Sequence, residues 1–338
     1  MCKAADGTDP KAGHRPTSGG VGHDVPDSQG QPERTEGMSA HSGGLWGGEL
    51  DTIILAGVFD GASSLLAEET GFDGLWASSY SISAACGLPD AGCLSITALL
   101  SIWERIVSAS SLAVIADCDN GFGDERAVAK LVQRAESIGV KGVCIEDNAY
   151  PKRSSLYGER HELTPAQEHA SKVAAAKSAR SSRELLVVAR TEALVQQHGI
   201  EEALERASAY AEAGADAILI HSVKRDPAEV LAFAAAWNSP VPLMAVPTTY
   251  DSIRVDELFS AGFRVVVFAN YAIRAAVAAM RSTMALLMRS RTGSDASTSI
   301  ASVQDVNGLV RTSPRSDGGS PLVSFGGRER AHRLRAVG

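Results

Sequence analysis

Short runs of aliphatic and β-branched residues alternate along the chain with longer stretches of helical period. The runs are TIILAGV (52–58), GLWAS (74–78), AVIADCD (113–119), GVCIED (142–147), LLVVAR (185–190), AILIHS (217–222), PLMAVP (242–247) and RVVVFAN (264–270). The stretch EEALERASAYAEAG (201–214) shows what lies between them: Ala203, Leu204, Ala207, Tyr210 and Ala211 share one helical face, and Gly214 is a C-terminal stop. Repeated strand-then-helix units predict an α/β protein with a parallel sheet. Eight of them over about 240 residues match the size of a (β/α)8 TIM-type barrel. The rival, a doubly wound open sheet, rarely needs eight units, and no GxGxxG or P-loop follows any strand.

The pattern stops at both ends. Residues 1–48 are rich in Gly, Ser, Pro, Asp and His with few large aliphatics, which predicts a disordered leader. The barrel is expected over 49–291. The remainder, 292–338, reads as a mostly disordered tail, with apolar residues at helical spacing over 300–310 that predict a short docked helix. In the whole 338-residue chain 44% of residues are hydrophobic and 21% charged, which excludes a wholly disordered protein. The net charge of −8 argues against general nucleic-acid binding. No apolar run approaches the roughly 18 residues of a membrane span. There is no secretory pattern at the N-terminus, and Cys2, Cys86, Cys93, Cys118 and Cys144 show no paired metal spacing. Reduced thiols in a cytoplasmic protein are the simplest expectation.

In such a barrel the chemistry collects at the C-terminal ends of the strands. The second strand runs into Trp76, Ser78, Ser79 and Tyr80, the third into Asp117 and Asp119, and the fourth into Glu146, Asp147 and Asn148. The fifth ends in Arg190, Thr191 and Glu192, the sixth in His221 and Ser222, the seventh in Thr248 and Thr249. Asp117 and Asp119 are two apart, so a strand would point both the same way, with Cys118 turned toward the helices. Together with Glu146 and Asp90 they form an all-oxygen cluster, which suits Mg2+ or Mn2+ rather than zinc. The bland alternative is that these acids cap helices or pair with lysines. Arg190 offers a planar fork for carboxylate or phosphate, and His221 a hydrogen bond or a proton. Their plainer explanations are a salt bridge from Arg190 to Glu192 or Glu146, and a satisfied core histidine. A cation with Arg and His describes a pocket for a small, multiply charged anion. The segment 148–160, with Lys152, Arg153, Ser154 and Ser155, is long for a strand-to-helix connection and reads as a polar lid, or else a solvated insertion. Asp124 and Glu125 are expected to start the next helix.

The motifs WASSYS, LPD, ADCDNGFG, IEDNAYPKRSSL, VARTEAL, AGADAILIHS and VPTTY, in this order over roughly 55–290, resemble the phosphoenolpyruvate mutase/isocitrate lyase superfamily. The resemblance implies a Mg2+-dependent (β/α)8 barrel acting on small anionic 2-oxo acids or their enolates. It also implies an eighth helix swapped onto a neighbouring barrel, giving homodimers or homotetramers. Matched motif by motif, Asp117 resembles the direct metal ligand, while Asp90, Asp119 and Glu146 resemble the acids that hold the metal's waters. Trp76 lies in the same substrate-binding run as Ser78, Ser79 and Tyr80, which resemble the residues gripping the substrate carboxylate and oxo group. Arg190 and His221 resemble phosphoryl and substrate ligands, and Lys152, Ser154 and Ser155 fall on the family's gating loop.

That loop separates the branches of the superfamily. The lyase branch carries Lys-Arg-Cys-Gly-His, whose Cys protonates a leaving enolate. Here Ser154 stands in its place, and a serine hydroxyl is too weak an acid for that task. The mutase branch is marked by Glu-Asp-Lys and a later Lys-x-Asn-Ser. This chain keeps Glu146, Asp147, Lys152 and Ser155 but has Asn148 and Ser154 at the variable positions. The phosphonopyruvate hydrolases have Thr where Ser154 stands. The leading expectation is a mutase interconverting phosphoenolpyruvate and phosphonopyruvate, with the hydrolase as the close alternative. A 2-oxo acid lyase using another acid and an inactive binding paralogue stand further back.

Overall fold

A computed structural model describes residues 52–149, 152 and 161–310 of the chain. The expected leader 1–48, the tail beyond 310, and Ser154 and Ser155 lie outside the described residues. Eight parallel strands close a barrel in chain order: β1 (Ile53–Val58), β2 (Gly74–Ala77), β3 (Val114–Asp117), β4 (Gly142–Glu146), β5 (Leu186–Thr191), β6 (Ala217–Ile220), β7 (Leu243–Ala245) and β8 (Phe263–Phe268). Helices α1 (Gly61–Thr70), α2 (Ser79–Ala85), α3 (Ile96–Ala109), α4 (Glu125–Ser137), α5 (Ala166–Ala179), α6 (Ile200–Glu212), α7 (Ala228–Ala236), α8 (Val255–Ser260) and α9 (Tyr271–Ser290) alternate with them. The fold is therefore the expected (β/α)8 barrel.

Two-residue alternation sorts each strand into two cores. Leu55, Trp76, Ile115, Cys144, Val188, Leu219, Met244, Val265 and Val267 fill the barrel interior. Their sequence neighbours, such as Leu75, Ala116, Val143, Val187 and Ile218, face outward onto Trp103, Ile106, Leu131, Val173, Tyr210 and Phe233 of the helices. Cys118 belongs to this outer layer, as the alternation predicts. Gly57 closes the β1–β8 seam: a Cβ there would lie 2.0 Å from the Ala269 carbonyl oxygen, so no side chain fits.

The helix signals act locally. Asp124 caps α4 by accepting from the Ala127 N–H at 3.0 Å. Gly214 takes a φ of 97° just past α6, the left-handed stop its position suggested. α9 is different, because only Ile273 of its 20 residues is buried. Val277, Met280, Met284, Leu287 and Met288 leave an exposed apolar stripe along it. A last helix, α10 (Val303–Leu309), is closed by a capping box between Ser302 and Asp305, and none of its residues is buried. No described helix is long and apolar enough to cross a membrane. Cys86, Cys93, Cys118 and Cys144 are free thiols.

Candidate active site

The side chains at the mouth of the barrel continue the inner-facing alternation by one more step. Ile115 is followed two residues on by Asp117, Cys144 by Glu146, Val188 by Arg190, Leu219 by His221 and Trp76 by Ser78. The strand that builds the interior thus aims these groups into one space. They line a cavity of about 50 Å3 together with Ser79, Tyr80, Asp90, Lys152, Val246, Thr248, Ala269 and Asn270. A water takes roughly 10–15 Å3 by this measure, so the space suits a compact anion of few heavy atoms.

Asp119 reaches the cluster by another route than expected. β3 ends at Asp117, and Asp119 sits in a left-handed turn with φ 49°, so strand alternation does not set its direction. It does not line the cavity itself; its carboxylate is bound by the Lys152 ammonium. Lys152 also donates to Asp90 Oδ1 at 2.5 Å and to Ser79 Oγ at 3.1 Å. Ser79 Oγ in turn donates to Asp117 Oδ2 at 2.9 Å, so one chain of bonds ties α2, the 90 loop, β3 and Lys152 together. Ser78 is spent differently: its hydroxyl caps α2 by accepting from the Ser81 N–H.

Arg190 makes both of the salt bridges that were its plainer explanation, and it lines the cavity as well. Its Nε donates to Glu192 Oε1 at 2.5 Å, and its NH1 lies 3.4 Å from Glu146 Oε2. Asn148 Nδ2 donates to the other Glu146 oxygen at 3.0 Å. Behind this pair lies a buried network that strand-end reasoning missed. Asp147 accepts from the Glu192 N–H, the Thr191 hydroxyl, the Tyr210 hydroxyl and Arg206 of α6. The signal was faint, because Arg206 lies 59 residues from Asp147 and nothing local marks the pair. Asn270 was missed too; it stands one residue past the inward alternation of β8.

Burial sets the protonation of the site. It pushes the Glu146 carboxyl up to about 8, against the pull of Arg190 and Lys152. It raises the Asp119 carboxyl as well, with Lys152 opposing and Asp117 and Asp90 adding to the rise. Burial alone would lower the Lys152 ammonium, but Asp119, Asp90, Glu146 and Asp117 hold it well above the ordinary lysine value. Burial and then Arg190 lower the His221 imidazole to about 4, so it is neutral at pH 7. Its Nδ1 has no hydrogen-bond partner among the described residues.

Among the described residues no three Asp, Glu, His or Cys side chains converge as a finished ligand set. The donor chemistry nevertheless fits a hard cation. Buried carboxyls of Asp90, Asp117, Asp119, Glu146 and Glu192 face Lys152 and Arg190, leaving an excess of negative oxygen that a divalent cation would neutralise. An arrangement with Asp117 as the one direct ligand and the other acids on its waters needs no closed cage.

Residues 48–288 match the family described as phosphoenolpyruvate phosphomutase. The chain is 37% identical over 257 residues to the phosphoenolpyruvate phosphomutase of Tetrahymena pyriformis, covering 76% of this chain and 86% of that one. It is 40% identical over 243 residues to the phosphonopyruvate hydrolase of Variovorax sp. (strain Pal2), covering 71% and 84%. A solved phosphonopyruvate hydrolase in complex with oxalate and Mg++ superposes with a TM-score of 0.72 at 37% identity, over 76% of this chain and 89% of that one. The barrel, the acids on β3 and β4, and Arg190 and His221 on the following strands thus accompany a match across most of the chain, which belongs to the phosphoenolpyruvate phosphomutase family.

Proposed function

We propose that the protein is a Mg2+-dependent phosphoenolpyruvate mutase that interconverts phosphoenolpyruvate and phosphonopyruvate. The observation that carries this reading is that Lys152, Arg190 and neutral His221 line one small cavity together with Asp117 and Glu146. A transferring phosphoryl group spreads negative charge over its oxygens, and positioned cations and donors lower that barrier. Arg190 is held for this task by Glu192 and Glu146. His221 donates or accepts without adding charge. Lys152 supplies a cation close enough to follow the group. Ser79 and Tyr80, with Trp76 beside them, line the end suited to the carboxylate and oxo group. Mg2+, held by Asp117 with Asp90, Asp119 and Glu146 on its waters, would supply charge stabilisation for the enolate. In the forward sense the P–O bond of phosphoenolpyruvate breaks and a P–C bond forms at the enolate carbon; no water enters.

The hydrolase is the second reading. The chain is 40% identical to a phosphonopyruvate hydrolase and 37% identical to a mutase, and Ser154 carries a hydroxyl where the mutases have an amide. There the P–C bond breaks, water supplies the oxygen to phosphorus, and the enolate carbon takes a proton to give pyruvate. The exposed stripe of α9 supports assembly with a second copy, as the superfamily's swapped helix would require.

Phosphorus NMR of the purified enzyme with phosphonopyruvate and Mg2+ tests the proposal. A phosphoenolpyruvate signal is expected. Inorganic phosphate with pyruvate, and no phosphoenolpyruvate on the way, would replace the mutase with the hydrolase. An unchanged substrate signal would overturn both. Asp117→Ala is expected to abolish metal-dependent turnover, and full activity at ordinary Mg2+ would sink the metal assignment.

A further inference from the structure

The turn that follows β3 is strained, and one buried cation stands behind it. Asp119, Gly121, Phe122 and Gly123 all have positive φ, at 49°, 86°, 58° and 149°. Glycine takes such angles freely and Asp tolerates them, but a bulky residue such as Phe122 does not. Residues held this way keep their conformation only where the surroundings impose it. Asn120, at the centre of the turn, is buried. Its Oδ1 accepts from the Phe122 N–H at 3.3 Å, and its Nδ2 donates to the Ala149 carbonyl at 3.3 Å, close in sequence to Lys152. The Asp119 carbonyl accepts from the Glu146 N–H at 2.8 Å. The turn thus carries one acid of the cluster and is stitched to the strand that carries another.

The Asn120 carbonyl is taken by Lys172 of α5. Lys172 is only 4% exposed. Its ammonium forms no ion pair among the described residues, and its one acceptor there is the Asn120 carbonyl oxygen at 3.5 Å. Burying an ammonium without a carboxylate is costly, and an apolar side chain would ordinarily serve better on a helix face that also buries Ala170, Val173 and Ala176. A buried polar group so poorly repaid calls for an explanation. The carbonyl that Lys172 binds belongs to the peptide between Asn120 and Gly121, in the middle of the left-handed stretch. A charge held against that dipole resists a flip of the peptide, and with it a change of direction at Asp119. Asp119 is the residue that meets Lys152 beside Asp90. We infer that Lys172 is a positioning residue: bound to the Asn120 carbonyl from α5, its ammonium holds the turn that presents Asp119 to the metal's acids. This rests on the Mg2+ reading above.

Lys172→Met keeps a long side chain and removes the charge. The probe is Mn2+ without substrate, followed by electron paramagnetic resonance titration, alongside a thermal melt. Position and charge predict opposite signs. Removing a cation near an acidic site tightens Mn2+ binding if the cation acts by charge alone, whereas releasing the turn from its hold weakens it. The expected result is a folded Met variant that binds Mn2+ more weakly by about fivefold or more, with Lys172→Gln, which keeps a shorter donor, in between. Unchanged or tighter Mn2+ binding in the Met variant would overturn this inference alone, and a lowered melting temperature with unchanged Mn2+ affinity would do the same by making Lys172 merely structural. Should the Met variant not fold, Lys172→Gln is read by the same signs; failure of both to fold would overturn the inference in favour of a role in the whole fold. A wild-type protein that takes up no Mn2+ would overturn the metal reading and this inference with it.

Discussion

His169 makes the stability of this barrel depend on pH in a way that can be calculated. The residue lies on α5, is fully buried and packs edge-on against Tyr210, with ring centroids 4.6 Å apart. Burial, then the nearby Lys172 and Arg206 cations, hold its imidazole down to about 3 from an ordinary 6.5. The folded protein therefore keeps His169 neutral where the unfolded chain would protonate it. With the unfolded value above the folded one, the unfolded state binds more protons below pH 6.5, and stability falls as pH drops from about 6.5 toward 3. Between pH 7 and pH 5 this one group should remove about 2 kcal/mol, from 1.36 kcal/mol per pH unit over about 1.5 units. Other groups titrate over the same range, and buried Glu146, raised to about 8, acts with the opposite sign. The contribution is therefore read as a difference. Urea unfolding of wild type and His169→Leu at pH 7 and pH 5 should give a variant whose loss is smaller by about 2 kcal/mol. Equal losses in the two proteins would refute the argument that His169 is held neutral by burial.

Three further outcomes follow from packing and charge. Arg206→Met leaves the fully buried Asp147 without its cation and should cost about 3–5 kcal/mol in urea unfolding, part of it recovered by adding Asp147→Asn; a loss below about 1 kcal/mol would show that the network is slack. Gly57→Ala should lower stability by about 3 kcal/mol or more, because its Cβ meets backbone at Ala269 rather than a movable side chain; an unchanged melting temperature would mean that the β1–β8 seam opens freely. Lys152→Met should tighten Mn2+ binding to the substrate-free protein by at least about tenfold, since the ammonium now holds Asp90 and Asp119 and like charges a few ångströms apart repel by about 4 kcal/mol at an effective dielectric of 20. Weaker or equal Mn2+ affinity by electron paramagnetic resonance titration would count against competition for those carboxylates.

What could be read from the sequence was whatever a short local pattern encodes. Eight aliphatic runs gave the strands to within a few residues, because each must fill the barrel on one face and the helix layer on the other. The same alternation, carried one step past the last apolar residue, placed Asp117, Glu146, Arg190 and His221 on one cavity. Alternation failed where the backbone left the strand. Asp119 turns at φ 49° and meets the site through Lys152, and Asn270 begins a helix instead of continuing β8. It also said nothing of partners distant in sequence. Arg190 could be named as a fork for an anion or as a structural ion pair, and the two looked exclusive.

They are not exclusive, and the reason bears on how the site works. Arg206 and Tyr210 of α6 fix Asp147; Asp147 fixes the backbone of Glu192 and the hydroxyl of Thr191; Glu192 then fixes Arg190 through its Nε. That bond uses one edge of the guanidinium and sets its plane while the residue still lines the cavity. A guanidinium that reacts by electrostatics alone must not reorganise when charge develops on the substrate, so its usefulness grows with the rigidity of its salt bridges. On the proposed reading the buried ion pairs are thus part of the anion site, and weakening them from α6 should lower turnover before it lowers substrate affinity. An Arg206→Lys variant that stays folded is expected to lose kcat with KM nearly unchanged, whereas an equal rise in KM with kcat unaltered would mean that Arg190 is positioned by the substrate and not by the protein.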